Sequence, residues 1–197
     1  MSRCSPLFLS LVFAACRGAD RAPMQMADVR IPAGANYTAA DVRFMQGMIH
    51  HHAQAVKIAE WAPTHGAGTS LRILCQKIVV SQKDEIAMMS TWLRDRNQAV
   101  PDPNDPHPMM MPGMLSDAQL AALDASRDST FDRLFLTDMI QHHEGAIKMV
   151  KDLFATPGAG QASEIFRFAS DVDADQRGEI ARMERMLASP THTVGAP

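Results

Sequence analysis

The sequence predicts an all-α chain folded as a four-helix bundle, and three observations carry that expectation. One block of sequence occurs twice, its apolar positions recur with helical spacing, and no useful stretch alternates with the period of two that marks a strand. The block Met48-Ile49-His50-His51-His52-Ala53-Gln54-Ala55-Val56-Lys57-Ile58 aligns, 91 positions later, with Met139-Ile140-Gln141-His142-His143-Glu144-Gly145-Ala146-Ile147-Lys148-Met149, with six of eleven positions identical. Asp41 and Phe44 match Asp132 and Phe135 at the same offset. A second block, Gln82, Glu85, Ile86, Ala87 and Met89, matches Gln176, Glu179, Ile180, Ala181 and Met183 at an offset of 94.

Each copy reads as helix, turn, helix. The first helix is expected from about Ala39 to Ala62, ended by the breakers Pro63-Thr64-His65-Gly66-Ala67-Gly68. The second covers about Thr69 to Asn97 and runs into the Pro-rich stretch Pro101 to Pro108. In copy two the helices span roughly Ser129 to Phe154 and Gly160 to Ala188, parted by Thr156-Pro157-Gly158-Ala159-Gly160. Between the copies, Ser116-Asp117-Ala118-Gln119 forms a capping box that opens a short helix to about Ser126. The bundle domain is thus 38–188: repeat one 38–97, connection 98–128, repeat two 129–188, with 189–197 as a tail. Four long helices joined by short turns within each pair pack as a bundle.

The N-terminus reads as a targeting segment. Residues 1–15 hold one Arg and then an apolar run from Leu7 to Ala15, too short to span a bilayer and shaped like a secretory signal peptide. Cys16 follows directly, as at a bacterial lipoprotein processing site, so a lipid on Cys16 would anchor the chain to the membrane. An ordinary cleaved signal and a retained N-terminal anchor are the alternatives. Residues 16–37 read as a flexible tether. No later stretch is long and apolar enough to cross a membrane, because charges interrupt each helix. The 46% hydrophobic and 21% charged content excludes a disordered chain, and a net charge of -3 leaves no basic patch for nucleic acid. Cys75, left alone once Cys4 is removed with the signal and Cys16 is lipidated, reads as a buried small hydrophobe.

Helical wheels place polar groups inside the core. His52 falls within the apolar sector of Phe44, Met48 and Ala55, and His51 on its edge beside Ile58. His50 falls on the far side with Lys57, facing water, and the repeat replaces it by Gln141 while keeping both other His. Glu85 lies in the middle of the stripe of Leu71, Leu74, Ile78, Met89 and Trp92, with Gln82 beside it; Glu179 lies likewise among Ile165, Phe168, Val172 and Met183. A carboxylate there is costly without a partner, and the preceding helix of each pair offers His51 and His52, or His142 and His143. Two readings of these residues stand side by side. In one, His–Glu pairs only stabilise the core; in the other, the His are metal ligands and Glu85 and Glu179 orient them. Met48, Met89, Met139 and Met183 lie on the same faces, where core packing competes with ligation. Met45, Met88, Met149 and Met186 read as core.

The connection adds His107-Pro108-Met109-Met110-Met111-Pro112-Gly113-Met114, where helical core periodicity does not explain the methionines. Thioethers are soft donors that suit Cu(I), and with imidazoles in an exported protein they favour copper over zinc or iron. Met24 and Met26 are a weaker version, and His65 and His192 read as solvated.

The motifs Phe44-x3-Met48-Ile49-x-His51-His52-x2-Ala55-Val56, Met111-Pro112-Gly113-Met114, Phe131-Asp132-Arg133-x-Phe135-Leu136-x2-Met139-Ile140-x-His142-His143-Glu144-Gly145-Ala146-Ile147 and the twice-used Gln-x2-Glu-Ile-x2-Met resemble those of the bacterial family called domain of unknown function 305. The resemblance covers about 38–188. It implies a ferritin-like bundle, export to the periplasm or cell envelope and, for some members, copper binding linked to tolerance. By motif match, the implied metal residues are Met48, His51, His52, Met139, His142 and His143, with Met111 and Met114 in the connection. The first block departs from the family at His50, where Pro is often found, and at Ile58, where Met is frequent. Copy two, with Met149, is therefore expected to be the better-preserved site.

An enzyme is the rival expectation. Ferritin-like di-iron centres need Glu-x-x-His on two helices, and this chain has none. No Ser–His or Cys–His arrangement and no His-Glu-x-x-His is present either. The expectation is an exported, non-catalytic protein that binds copper for storage, delivery or tolerance, with no delivery partner identifiable. The alternatives are a structural or interaction module and a copper-dependent redox protein.

Overall fold

The computed structural model describes residues 29–105 and 108–189. Five helices run along the chain: α1 Ala39–Ala59, α2 Thr69–Asp95, α3 Asp117–Ala125, α4 Asp128–Ala155 and α5 Ser163–Ala188. The expected all-α bundle of two hairpins, α1–α2 and α4–α5, with a short linking helix between them, is what folds, and no strand occurs among the described residues. The signal segment, Cys16, Met24, Met26, His107 and His192 lie outside the described residues. No described helix is long and apolar enough to cross a membrane.

Helix ends follow local chemistry. Thr38 caps α1 by accepting from the Asp41 N–H, while Asp41 Oδ2 accepts from the Thr38 N–H at 2.7 Å. Ser116 and Gln119 form the expected box on α3. Helices α2 and α4 lack a side-chain cap, and α5 starts at Ser163, three residues past the expected Gly160. Gly160 has φ +69, suited to a residue without Cβ, and its N–H donates to Asp41 Oδ1 at 2.7 Å. The repeat does the same in reverse: Asp132 of α4 accepts from the Gly68 N–H at 3.2 Å. Each repeat therefore grips the turn of the other, a two-fold-like reciprocity that fixes how the hairpins meet.

Helix α1 packs on α2, α4 on α5, and α1 crosses to α4, which carries α3. Two apolar clusters stack along the bundle. One gathers Met45, Met48, Ile49, Met89, Trp92, Val150, Leu153, Ile165 and Val172. The other gathers Ile58, Leu71, Leu74, Ile78, Phe131, Phe135, Met139 and Met183. The N-terminal half of α1 shares a cluster with the C-terminal half of α4, so these helices run antiparallel. Residues 50–54 and 142–145 fall between the clusters, which makes the His blocks a polar layer at mid-bundle. Cys75 is buried in the second cluster, and burial, with the Asp132 charge nearby, pushes its thiol up to about 12. The stretch read as a tether is not all free of the bundle: Val29, Ile31 and Tyr37 pack on the first cluster.

Several sequence expectations are overturned. His50 does not face water; it is buried against the connection near Asp102 and Asp105. Lys57, on the same helix face, stays exposed. His65 is also buried, with Nε2 at 3.0 Å from the Asp124 carbonyl, while its own carbonyl accepts from the Asp128 N–H at 2.8 Å. It ties the first hairpin turn to the junction of α3 and α4. Met88, expected in the core, is 54% exposed on α2.

Candidate metal centre

Consecutive residues on a helix diverge by about 100°, and that divergence divides the work of each His pair. His52 and His143 point at the second helix of their own hairpin. His51 and His142 point across the α1–α4 interface at each other.

His52 Nε2 lies 2.5 Å from Glu85 Oε2, and His143 Nε2 lies 2.6 Å from Glu179 Oε2. Both imidazoles are fully buried, while the two carboxylates keep 14% and 22% exposure. The Glu side chains thus bridge buried rings to solvent. An ionised carboxylate only accepts, so each Nε2 carries the proton, and in the neutral ring Nδ1 is left with its lone pair. Neither Nδ1 has a hydrogen-bond partner. The expected pairing of each Glu with a His of its own hairpin is present in both copies with nearly equal geometry.

The His51 and His142 rings lie with centroids 3.8 Å apart and planes tilted by 39°. Within each pair the centroids are 6.2 Å apart. His51 Nε2–H donates to the Pro112 carbonyl at 3.1 Å, which leaves its Nδ1 unpartnered; His142 has no partner at either ring nitrogen. Burial, then the neighbouring imidazoles, holds both rings well below the ordinary His pKa, so both are neutral at neutral pH. Buried polar atoms are normally satisfied, and six ring nitrogens of this layer, His50 Nδ1 among them, are not. Gln82 Oε1 and Gln176 Oε1, one turn before the two Glu, are also buried and unpartnered.

The connection closes one side of the layer. Met111 to Met114 form a tight turn in which the Met114 N–H donates to the Met111 carbonyl at 3.2 Å and Gly113 takes φ +79. A Cβ on Gly145 would collide with the Pro112 carbonyl, so this glycine lets the turn seat on α4. Gln54 holds the next residue, accepting from the Leu115 N–H at 2.7 Å and donating to its carbonyl at 3.0 Å. Met114 is buried, and Met111 is half-buried with Sδ against Gly47 of α1. These two methionines therefore do pack on the bundle, although no helical periodicity announced it. Met48 and Met139 are fully buried one turn before His52 and His143.

Soft and nitrogen donors are thus gathered, but among the described residues no three His, Cys, Asp or Glu side chains already form a cation cage. The donor chemistry fits a soft ion held by imidazole and thioether better than a hard ion held by oxygen.

The sequence signature of the family described as Domain of unknown function (DUF305) matches residues 41–187. The crystal structure of a DUF305 fragment from Deinococcus radiodurans is similar at 34% identity and a TM-score of 0.66, covering 77% of this chain and 97% of that one. A candidate secreted DUF305 protein of Streptomyces coelicolor is similar at 26% identity and a TM-score of 0.68, over 83% of this chain and 98% of its own. CopM in its Cu(I)-bound form is similar at 27% identity and a TM-score of 0.61, over 79% and 98% of the two chains. No curated relative matches the chain.

Proposed function

This chain is a member of the DUF305 family, and we propose that it is an exported, non-catalytic protein that binds copper, Cu(I) in preference, to store it or pass it on. The observation that carries the proposal is the mid-bundle layer of His51, His52, His142 and His143, whose unpartnered ring nitrogens are buried at a cost that a bound ion offsets. Met48, Met139, Met111 and Met114 supply thioethers around it, and thioether selects the cuprous state. Glu85 and Glu179 orient the flanking rings and hold their protons on Nε2. The similarity to CopM, solved with Cu(I) and with Cu(II), supports the same cargo here.

Copy two carries Met149, but the two His–Glu pairs are alike, so we assign the ion to the shared layer rather than to one repeat. The apolar run at 1–15 supports export, and a lipid on Cys16 would hold the bundle at the membrane surface. A bundle stabilised only by His–Glu pairs would explain His52 and His143. It would not explain His142, which meets His51 ring to ring and has no carboxylate partner. Equilibrium dialysis of the purified protein against Cu(I) and Zn(II) tests the reading. Retention of Cu(I) with little Zn(II) is expected, and retention of neither would refute it.

A further inference from the structure

We propose that Cu(I) reaches and leaves the imidazole layer through the groove between α2 and α5, over Met88, Met45 and Glu85. The inference rests on the copper reading above and assigns its route. The connection seals the layer where Pro112 meets His51 and Gly145. On the other side, α2 and α5 leave a groove of about 550 Å³ whose walls include Met45, Met88 and Met89 and the acids Glu85, Asp95, Glu164 and Asp171, which outnumber the cations Arg96 and Arg167. Met88 stands at the lip, 54% exposed, while Met45 and Met89 are buried. The groove ends at Glu85, whose carboxylate bonds His52, a fully buried ring with an unpartnered Nδ1. Its walls thus offer a soft ion an exposed thioether, buried thioethers and a carboxylate, with the His52 imidazole behind that carboxylate.

The internal repeat supplies a control. The counterparts of Met45, Met88, Asp171 and Asp175 are Leu136, Arg182, Lys77 and Ser81. The pseudo-equivalent face therefore replaces two thioethers and two acids with an aliphatic group, a hydroxyl and two cations, and the cations repel copper. Asp175 extends the acidic lip; burial, then the charges of Glu85, Glu179 and Asp171, pushes its carboxyl upward, so these acids share one field. The groove's charge is net negative even with Arg96 paired to Glu164, and a net charge raises the local concentration of the opposite ion. Only metal–ligand bonds change along this route, and copper stays cuprous throughout.

A route differs from a binding site in what it changes. It alters capture and release equally and leaves affinity alone. The test is anaerobic transfer of Cu(I) from its bicinchoninate complex to the full protein, followed by absorbance where the rate rises with protein concentration, with release measured in reverse. Met88→Leu combined with Asp171→Asn is expected to slow both directions by about tenfold with affinity unchanged. Lys77→Gln combined with Arg182→Gln is expected to leave both rates as they are. Unchanged rates in the first variant, or equal slowing in both, would overturn the route. Weakened affinity in the first variant would place Met88 or Asp171 among the ligands and overturn it too. A wild-type protein that takes up no Cu(I) at equilibrium would instead refute the copper reading itself, before any rate is compared.

Discussion

His51 and His142, equivalent residues of two repeats, meet ring to ring across the α1–α4 interface, 3.8 Å between centroids, and His142 finds no hydrogen-bond partner there. A contact between two neutral, buried imidazoles contributes little to folding and leaves polar atoms unsatisfied. Its place at the centre of the molecule makes sense as a site held ready for an ion.

Stability should therefore improve when His142 is removed without opening a cavity. His142→Leu is expected to raise the stability of the metal-free protein by about 1–2 kcal/mol, since an unsatisfied buried polar group is replaced by an apolar one of similar size. Urea denaturation checks this, and a clear loss of stability would show that His142 is satisfied in solution.

Acid should destabilise the metal-free protein through the same two rings. His51 and His142 have folded pKa values well below the ordinary 6.5, so between the two values the unfolded chain binds more protons than the native one. Their contribution is complete above pH 6.5 and is lost as pH falls below it, at about 1.4 kcal/mol per pH unit for each ring. Unfolding measured from pH 7.5 to 5.5 should show that slope setting in below pH 6.5, and His142→Leu should reduce it.

The His–Glu pairs are only partly enclosed, which moderates their worth. Breaking a fully buried pair costs about 3–5 kcal/mol, but Glu85 reaches solvent, so Glu85→Ala is expected to cost about 1–3 kcal/mol. Glu85→Gln keeps an acceptor for His52 Nε2–H and should lose less. Chemical denaturation of the two variants separates the cases, and equal losses would count against the hydrogen bond.

Gly145 is the seat of the connecting turn. Gly145→Ala drives a methyl into the Pro112 carbonyl and is expected to cost about 1–3 kcal/mol through displacement of the turn. Denaturation with an unchanged midpoint would mean that Pro112 does not rest on α4.

Much of this was legible in the sequence because a repeat and a helical wheel report which face of a helix its own hairpin covers. That logic sets Glu85 and Glu179 each against the His pair of its own hairpin, where the structure singles out His52 and His143, and the Ser116–Gln119 box announces α3. The wheel is blind to what a connection lays over a helix. It puts His50 in water because it counts one helix only, whereas the chain near Asp102 and Asp105 covers that ring. His65 escapes local pattern for a similar reason, since its partner Asp124 lies 59 residues away. Gly145 carried a usable signal: a glycine inside a helix where the other repeat has Gln54 marks a close backbone approach, which the Pro112 turn makes.

The central claim is that imidazoles from both repeats hold one soft ion at mid-bundle. Competition against a Cu(I) chelator tests it most directly, comparing wild type with His142→Ala/His143→Ala and with Met111→Leu/Met114→Leu. The His variant should lose most high-affinity Cu(I) binding, and the Met variant should weaken Cu(I) more than Cu(II) while keeping the fold. If both variants compete for Cu(I) as well as the wild type does, the layer is not the copper site.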